Sequence, residues 1–480
     1  MSSSQSPRDG RETPLLRRID ETLTVRDGHL FVEDCDVTEL AARFGSPLYV
    51  LSEARLRANA RRYLRAFRDA WPHGDVRVLP SLKANFALAV GRILVDEGMG
   101  CDVFGPGEFH AALRVGIAPG LISLNGSIKD QPLIDEAARA GARITLDSRD
   151  ELDRVIDAAR RLGRSGHVRL RARPDYRGLD LPTDFLEDEV PVSEATRRYK
   201  AGIPTPDLIE MGRIAIASDE VRLSGLMVHL PRHRVDLDLW RATTARFAAL
   251  VVEASRHWDG WRPEELDLGG GLPTRRDPTG RLLSRVAGEA RPLAPTTEEY
   301  ADAICGSLSD ALSDGGLDPE GIAFEMEPGR GLFADAGVHL ATVRHIKRED
   351  APVPWTWVET DTSEMFLLDG IVEHNLWECL AAGRMDSAPD DPVDVVGRSC
   401  GFDLIVPDAE LPTTRVGDVL AFLDTGAYQD ASATNFNAMP RPGTVLVNGT
   451  EAEVVRRPET IEDVFARDVV PERLRGTGTA

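Results

Sequence analysis

Val76-Arg77-Val78-Leu79-Pro80-Ser81-Leu82-Lys83-Ala84-Asn85 is the stretch on which the fold turns. An apolar, β-branched run climbs to a single cation and then breaks into the start of a helix. That pattern is a buried strand delivering Lys83 to its C-terminal tip. Lysine is scarce: the chain offers only Lys83, Lys129, Lys200 and Lys347, and arginine carries nearly all the remaining positive charge. Chemistry that needs an amine therefore has few candidates. A lysine desolvated at a strand end has a lowered pKa and becomes a Schiff-base nucleophile. The plainer alternative is a strand-end lysine reaching out to solvent.

Working outward, strand-like and helix-like segments alternate. Strands are expected at 76–83, 101–104, 121–125, 143–147, 168–173, 223–229, 266–268 and 322–327, with helices at 86–97, 107–115, 131–140, 150–162, 237–256 and 297–312. Between 173 and 223 lies a long acidic loop through Asp180, Asp184, Glu187, Asp188 and Glu189. The alternation gives an α/β fold, a (β/α)8 TIM barrel rather than an open doubly wound sheet. In such barrels the active site lies at the C-terminal ends of the strands, and phosphate often binds after strands seven and eight. Those two ends read Asp267-Leu268-Gly269-Gly270-Gly271 and Glu325-Met326-Glu327-Pro328-Gly329-Arg330.

Before the barrel, Leu23, Val25, Leu30 and Val32 alternate around Asp27-Gly28 as a hairpin. A short helix at 36–44 and a strand at 47–51 follow. From about 331 helical periodicity fades, and strands are expected at 338–343, 355–359, 393–396, 403–406, 419–423 and 444–447. The expected organisation is a disordered tail at 1–20, a barrel at 45–330, a mostly β C-terminal domain built from 21–44 and 331–469, and a tail at 470–480.

Composition sets limits. A chain of 480 residues, 42% hydrophobic and 28% charged, is a soluble globular protein long enough for two cores. A net charge of −22 makes nucleic acid and anionic membrane surfaces poor partners. No stretch has the apolar length of a membrane span. The start, Met1-Ser2-Ser3-Ser4-Gln5-Ser6-Pro7, lacks the apolar core of a signal peptide. Cys35, Cys101, Cys305, Cys379 and Cys400 are scattered, with no CxxC spacing. That argues against a disulfide framework or a metal site, and for a reducing cytoplasm.

Three consecutive glycines, Gly269 to Gly271, let backbone N–H groups approach an anion closely. A merely flexible loop is the equal alternative. Arg330 adds a cation three residues after Glu327. A phosphate held by glycines and an arginine, beside a lysine amine, points to pyridoxal 5'-phosphate. Glu327 then faces the pyridine nitrogen and keeps it protonated.

Taken in order, Lys83-Ala84-Asn85, Gly100-Cys101-Asp102-Val103, Gly107-Glu108, His229, Asp267 to Gly271, Glu327-Pro328-Gly329-Arg330, Gly397-Arg398-Ser399-Cys400 and Gly426-Ala427-Tyr428 resemble the fold type III pyridoxal-phosphate decarboxylases. These act on diaminopimelate, ornithine and arginine. The resemblance spans about 47–447 and implies an alanine-racemase-like barrel followed by a β domain, working as a homodimer with shared active sites. It implies that Lys83 carries the cofactor and that His229 stacks on the cofactor's face. Gly269, Gly270, Gly271, Arg330 and Tyr428 would hold its phosphate. Asp102, Glu108 and Arg171 form a supporting polar shell. Cys400 matches the cysteine that crosses the dimer interface and returns a proton after carbon dioxide leaves; buried packing is the common alternative for a lone cysteine.

The sequence also departs from that family. Where the family has His-x-Gly-Ser, the chain has His229-Leu230-Pro231-Arg232-His233, so Arg232 stands in as a candidate phosphate or substrate contact. The acidic residue expected after the cysteine is Gly401. By ungapped counting, the arginine and tyrosine that read the far end of diaminopimelate fall on Asp369 and Glu373. An acid there would repel a distal carboxylate, which argues against meso-diaminopimelate and for another amino acid or conjugate with a cationic far end. Solvated acids with no substrate role are the alternative. An amino-acid racemase and a non-catalytic pyridoxal-phosphate-binding protein are the competing functions. Glu327, where racemases place arginine, and the β domain with Cys400 and Tyr428 argue against them.

Overall fold

The computed structural model describes residues 22–179, 181–185, 188–229, 234–276, 293–373, 375 and 377–475. The expected tail at 1–20 and Arg232 lie outside the described residues. The chain divides into two compact units, one running Glu53–Ala336 and the other combining residues up to Ser52 with those from Gly337.

In the first unit eight parallel strands form a barrel: Val76–Val78, Cys101–Val103, Ile122–Leu124, Arg143–Leu146, Gly166–Arg173, Val221–Met227, Glu265–Asp267 and Ala323–Met326. From strand two to strand eight each strand pairs with the next, and strand one pairs with strand eight through Phe324, Glu325 and Met326. The seam between strands one and two is closed by a bridge between Ser81 and Asp102 and by bonds from Gly100 N to Val78 O (3.3 Å) and Leu82 N to Asp102 O (3.0 Å). The ring is therefore sealed beside the lysine.

Helices cover the outside, and local signals fix their ends. Asp130 and Ser148 cap the helices Gln131–Ala140 and Arg149–Leu162, which stop at the left-handed glycines Gly141 and Gly163. Two long helices absent from the sequence reading appear, Glu53–Ala70 and Thr205–Ala217. The first buries Leu56, Ala60, Tyr63, Leu64 and Phe67 on one face, between arginines that mask its hydropathy. The expected acidic loop contains a hairpin, Pro182–Phe185 with Asp188–Pro191.

The second unit is mostly β. The hairpin Leu23–Arg26 and His29–Val32 pairs as its alternation implies. Asp36 caps the helix Val37–Phe44 through Thr38 N. The strand Leu48–Ser52, expected inside the barrel domain, lies in this unit instead. It pairs with Gly337–Glu349 on one side and Gly443–Asn448 on the other, and a strand hydrogen-bonded on both edges belongs to that sheet. Leu30, Val37, Val50, Leu340, Leu423 and Val445 form its core. The strands Cys379–Ala381 and Glu451–Arg456 complete it beyond those expected. Among the described residues no helix is long and apolar enough to cross a membrane.

Candidate active site

Lys83 follows the first strand and its amine stands 2.9 Å from the Asp102 carboxylate. The amine and Asp102 both bond the Ser81 hydroxyl. The Lys83 side chain is 40% exposed and lies 4.5 Å over the Phe104 ring. Full burial of this lysine, expected from its strand, does not occur. The strand ends at Val78, so Lys83 projects from the turn beyond it and meets an ion pair rather than apolar walls.

Asp102 carries the network inward. Asn125 Nδ2 donates to Asp102 at 2.5 Å and to Glu327 at 2.7 Å. Ser123 Oγ donates to the same Glu327 oxygen at 2.9 Å. An unbroken chain of polar contacts thus links the amine to a carboxyl at the end of strand eight. Burial, then the charges of Asp102 and Asp267, hold the Glu327 carboxyl well above its ordinary value. Ser123 and Asn125 escaped the sequence reading. Their signal was faint: alternate polar residues flanking Leu124 at the end of a strand with one face inward.

Around this line the other candidates fall as follows. Glu108 accepts from Phe104 N at 2.5 Å, and burial raises its pKa, with Asp102 adding to the rise. Arg171 is buried, its guanidinium 5.8 Å from the Tyr199 ring. His229, half-buried at the tip of strand six, accepts from Gly270 N at 3.3 Å. Gly269 has φ +66, and a Cβ there would stand 2.8 Å from His229 Nδ1; a Cβ at Gly270 would stand 2.2 Å from Glu327 O. Only glycine lets this turn run so close to strands six and eight. Gly271 also has positive φ. Arg330 is buried at the start of the short helix Arg330–Phe333.

In the β unit Cys400 is a free, exposed thiol. Its N–H donates to Asn437 Oδ1 at 3.0 Å, and Asn437 Nδ2 reaches its sulfur at 3.3 Å. Asp403, 1% exposed and with φ +48, shapes the loop by accepting from Glu364 N and Ser399 N. Tyr428 is half-buried with φ +67. Asp369 is only 7% exposed, beside Asn375 and Gln429, and its carbonyl holds Glu373 N at 3.0 Å. Asp369 is thus a packed residue of the β unit rather than a solvated acid.

The donor set suits pyridoxal phosphate: an accessible amine, a buried carboxyl whose pKa burial raises, and a glycine turn at the end of strand seven. Among the described residues no group of acids, histidines and cysteines could hold a metal ion. Fold and site together define a barrel enzyme of the pyridoxal-phosphate class.

The chain belongs to the pyridoxal-dependent decarboxylases, because residues 55–334 match the family model described as pyridoxal-dependent decarboxylase, pyridoxal binding domain. It is 30% identical to a diaminopimelate decarboxylase of Methanocaldococcus jannaschii over 95% of this chain and 98% of that one. It is 32% identical to one of Methanothermobacter thermautotrophicus over 93% and 97% of the two chains. A crystal structure of the M. jannaschii enzyme in co-complex with L-lysine superposes with a TM-score of 0.83 at 27% identity, covering 95% of this chain and 99% of that one. The chain is a pyridoxal-phosphate-dependent amino-acid decarboxylase. These relatives run against the expectation that meso-diaminopimelate is not its substrate.

Proposed function

We propose that the enzyme removes the α-carboxylate of an amino acid carrying a second polar terminus, with diaminopimelate the first member of that class to try. The observation that carries this reading is similarity to diaminopimelate decarboxylases over nearly the whole chain. Gly401 leaves the acid expected there missing, yet Glu364 Oε1 lies 3.4 Å from where a Cβ at 401 would stand. A carboxylate is thus available beside Cys400 for a distal ammonium.

When bound through Lys83, pyridoxal phosphate supplies an electron sink for the pair left by the departing carboxylate. The protein's residues do the rest. Asp102 and Ser81 orient the Lys83 amine at the barrel mouth. Glu327 holds a proton toward the ring nitrogen, and His229 lies along one face of the site. Gly269, Gly270, Gly271 and Arg330 would bind its phosphate, with Glu108 and Arg171 as polar support. Cys400 then donates a proton to the substrate Cα. An exposed thiol suits a donor that serves another subunit, so the working unit is a homodimer in which the partner subunit's Cys400 completes each site.

The test is mass spectrometry of the holoenzyme with both enantiomers of lysine, ornithine and arginine, the stereoisomers of diaminopimelate, glutamate and conjugated diamino acids. Loss of carbon dioxide from diaminopimelate is expected. Loss only from another amino acid redirects the substrate reading, and Cα deuterium exchange without mass loss replaces it with a racemase.

A further inference from the structure

Beneath the site the barrel interior is filled with charge. Arg169, on strand five, is fully buried. Its guanidinium stands 2.8 Å from Asp267, 2.5 Å from Glu325 and 3.2 Å from the Thr145 hydroxyl, and it also bonds the Ser123 hydroxyl. Ser123 in turn donates to Glu327, whose carboxyl is 3.9 Å from the same guanidinium. Arg143 and Arg77 pair with Glu265 at 2.8 and 2.9 Å, and both also pair with Glu325.

These contacts leave the charges unequal. Arg77, Arg143 and Arg169 face four carboxyls, Glu265, Glu325, Asp267 and Glu327. Lys83 is paired with Asp102, and His167, whose Nε2 lies 3.8 Å from Glu265, has its pKa lowered by burial. In a water-poor interior the surplus acid keeps a proton rather than a bare charge. Glu265 lies among arginines that pull its pKa down, whereas burial raises both Asp267 and Glu327. The odd proton therefore belongs to the Asp267–Glu327 pair, which titrates as a unit. Arg169 is the cation that touches Asp267 directly and reaches Glu327 through Ser123.

We propose that Arg169 is a positioning residue for decarboxylation, deciding from inside the barrel which carboxyl of the Asp267–Glu327 pair holds the shared proton and so what Glu327 presents to the cofactor ring. The inference rests on the reading of Glu327 as the group facing the ring nitrogen. Without the Arg169 charge, Asp267 loses its counterion and Glu327 keeps its proton to higher pH. Lysine at 169 retains the charge but lacks the planar fork that reaches Asp267, Glu325 and Ser123 together.

The experiment is a pH titration of the visible absorption of the holoenzyme, with cofactor dissociation measured alongside. The proteins are wild type, Arg169→Met, Arg169→Lys, Glu327→Gln and the Arg169→Met/Glu327→Gln pair. Arg169→Met should move the spectral midpoint upward by about one unit or more, with Arg169→Lys moving it less. Glu327→Gln should change the titration by itself and make the further loss of Arg169 silent. A midpoint that moves in Glu327→Gln but not in Arg169→Met overturns the inference and leaves Glu327's role standing. No movement in Glu327→Gln overturns that role, and the inference with it. If Arg169→Met fails to fold, Arg169→Lys carries the test: its midpoint should still move upward by a smaller amount, and no movement overturns the inference.

Discussion

The amine-to-carboxyl line of the barrel and the cysteine loop of the β unit are built in opposite ways. Asp102, Asn125, Ser123 and Glu327 are all buried; Asn125 bonds both Asp102 and Glu327, and Ser123 bonds Glu327 as well. Cys400 is exposed, Phe402 beside it is 100% exposed, and Asn437 steadies the thiol from one side. A buried network joined link to link is preorganised by its own fold. An exposed thiol on a loop tightened only at its base gains its surroundings when something covers it. The barrel thus fixes its charges in place, and the loop leaves its thiol open.

Breaking the barrel side should have the largest effect. Lys83→Ala is expected to lower kcat by roughly 10³-fold or more and to abolish the mass added by pyridoxal phosphate after borohydride reduction. Retained attachment would place the link elsewhere. Cys400→Ala should cost about 10²-fold in kcat while leaving cofactor attachment intact. Mixing Lys83→Ala with Cys400→Ala chains should restore turnover; no recovery would mean that each site uses its own subunit's thiol. Asn437→Ala removes two weak contacts to Cys400 and should cost about fivefold in kcat, the equivalent of about 1 kcal/mol. The smallest effect sharpens the contrast in charge. The folded-state pKa of Glu327 lies above its ordinary 4.5, so its contribution to stability is complete below that pH and is lost as pH rises toward the raised value. In cofactor-free protein the difference in Tm between wild type and Glu327→Gln should therefore shift against wild type as pH climbs from about 4.5. A constant difference would show that Glu327 is not held protonated.

Much of the barrel was legible because its signals are local. Apolar runs ending in Lys83, in Asp267-Leu268-Gly269 or in Glu325-Met326-Glu327 mark strand ends without reference to anything distant. What escaped depends on three-dimensional neighbours. Arg169 reads as an ordinary polar position within its strand, and only the closed ring shows it surrounded by acids from strands seven and eight. The helix Glu53–Ala70 is disguised by its arginines, several of which are held by acids elsewhere on the unit, such as Arg55 by Asp335. The strand Leu48–Ser52 sits just before that helix, yet its sheet partners lie almost three hundred and four hundred residues later, where no local pattern points. At Asp369 the charge is plain in the chain, whereas its burial beside Asn375 and Gln429 depends on residues brought together by the fold.

The pairing of the first barrel strand with the eighth has a consequence for synthesis. Arg77 and Glu325, which meet across that seam, are 248 residues apart in the chain. Lys83 is made early, but Glu327 emerges only when most of the chain has left the ribosome. A nascent chain therefore displays its amine long before it owns the carboxyl that completes the site. Tight cofactor capture, as opposed to casual reaction of an exposed amine with an aldehyde, is thus an assay of completion: a molecule that retains pyridoxal phosphate has closed its ring.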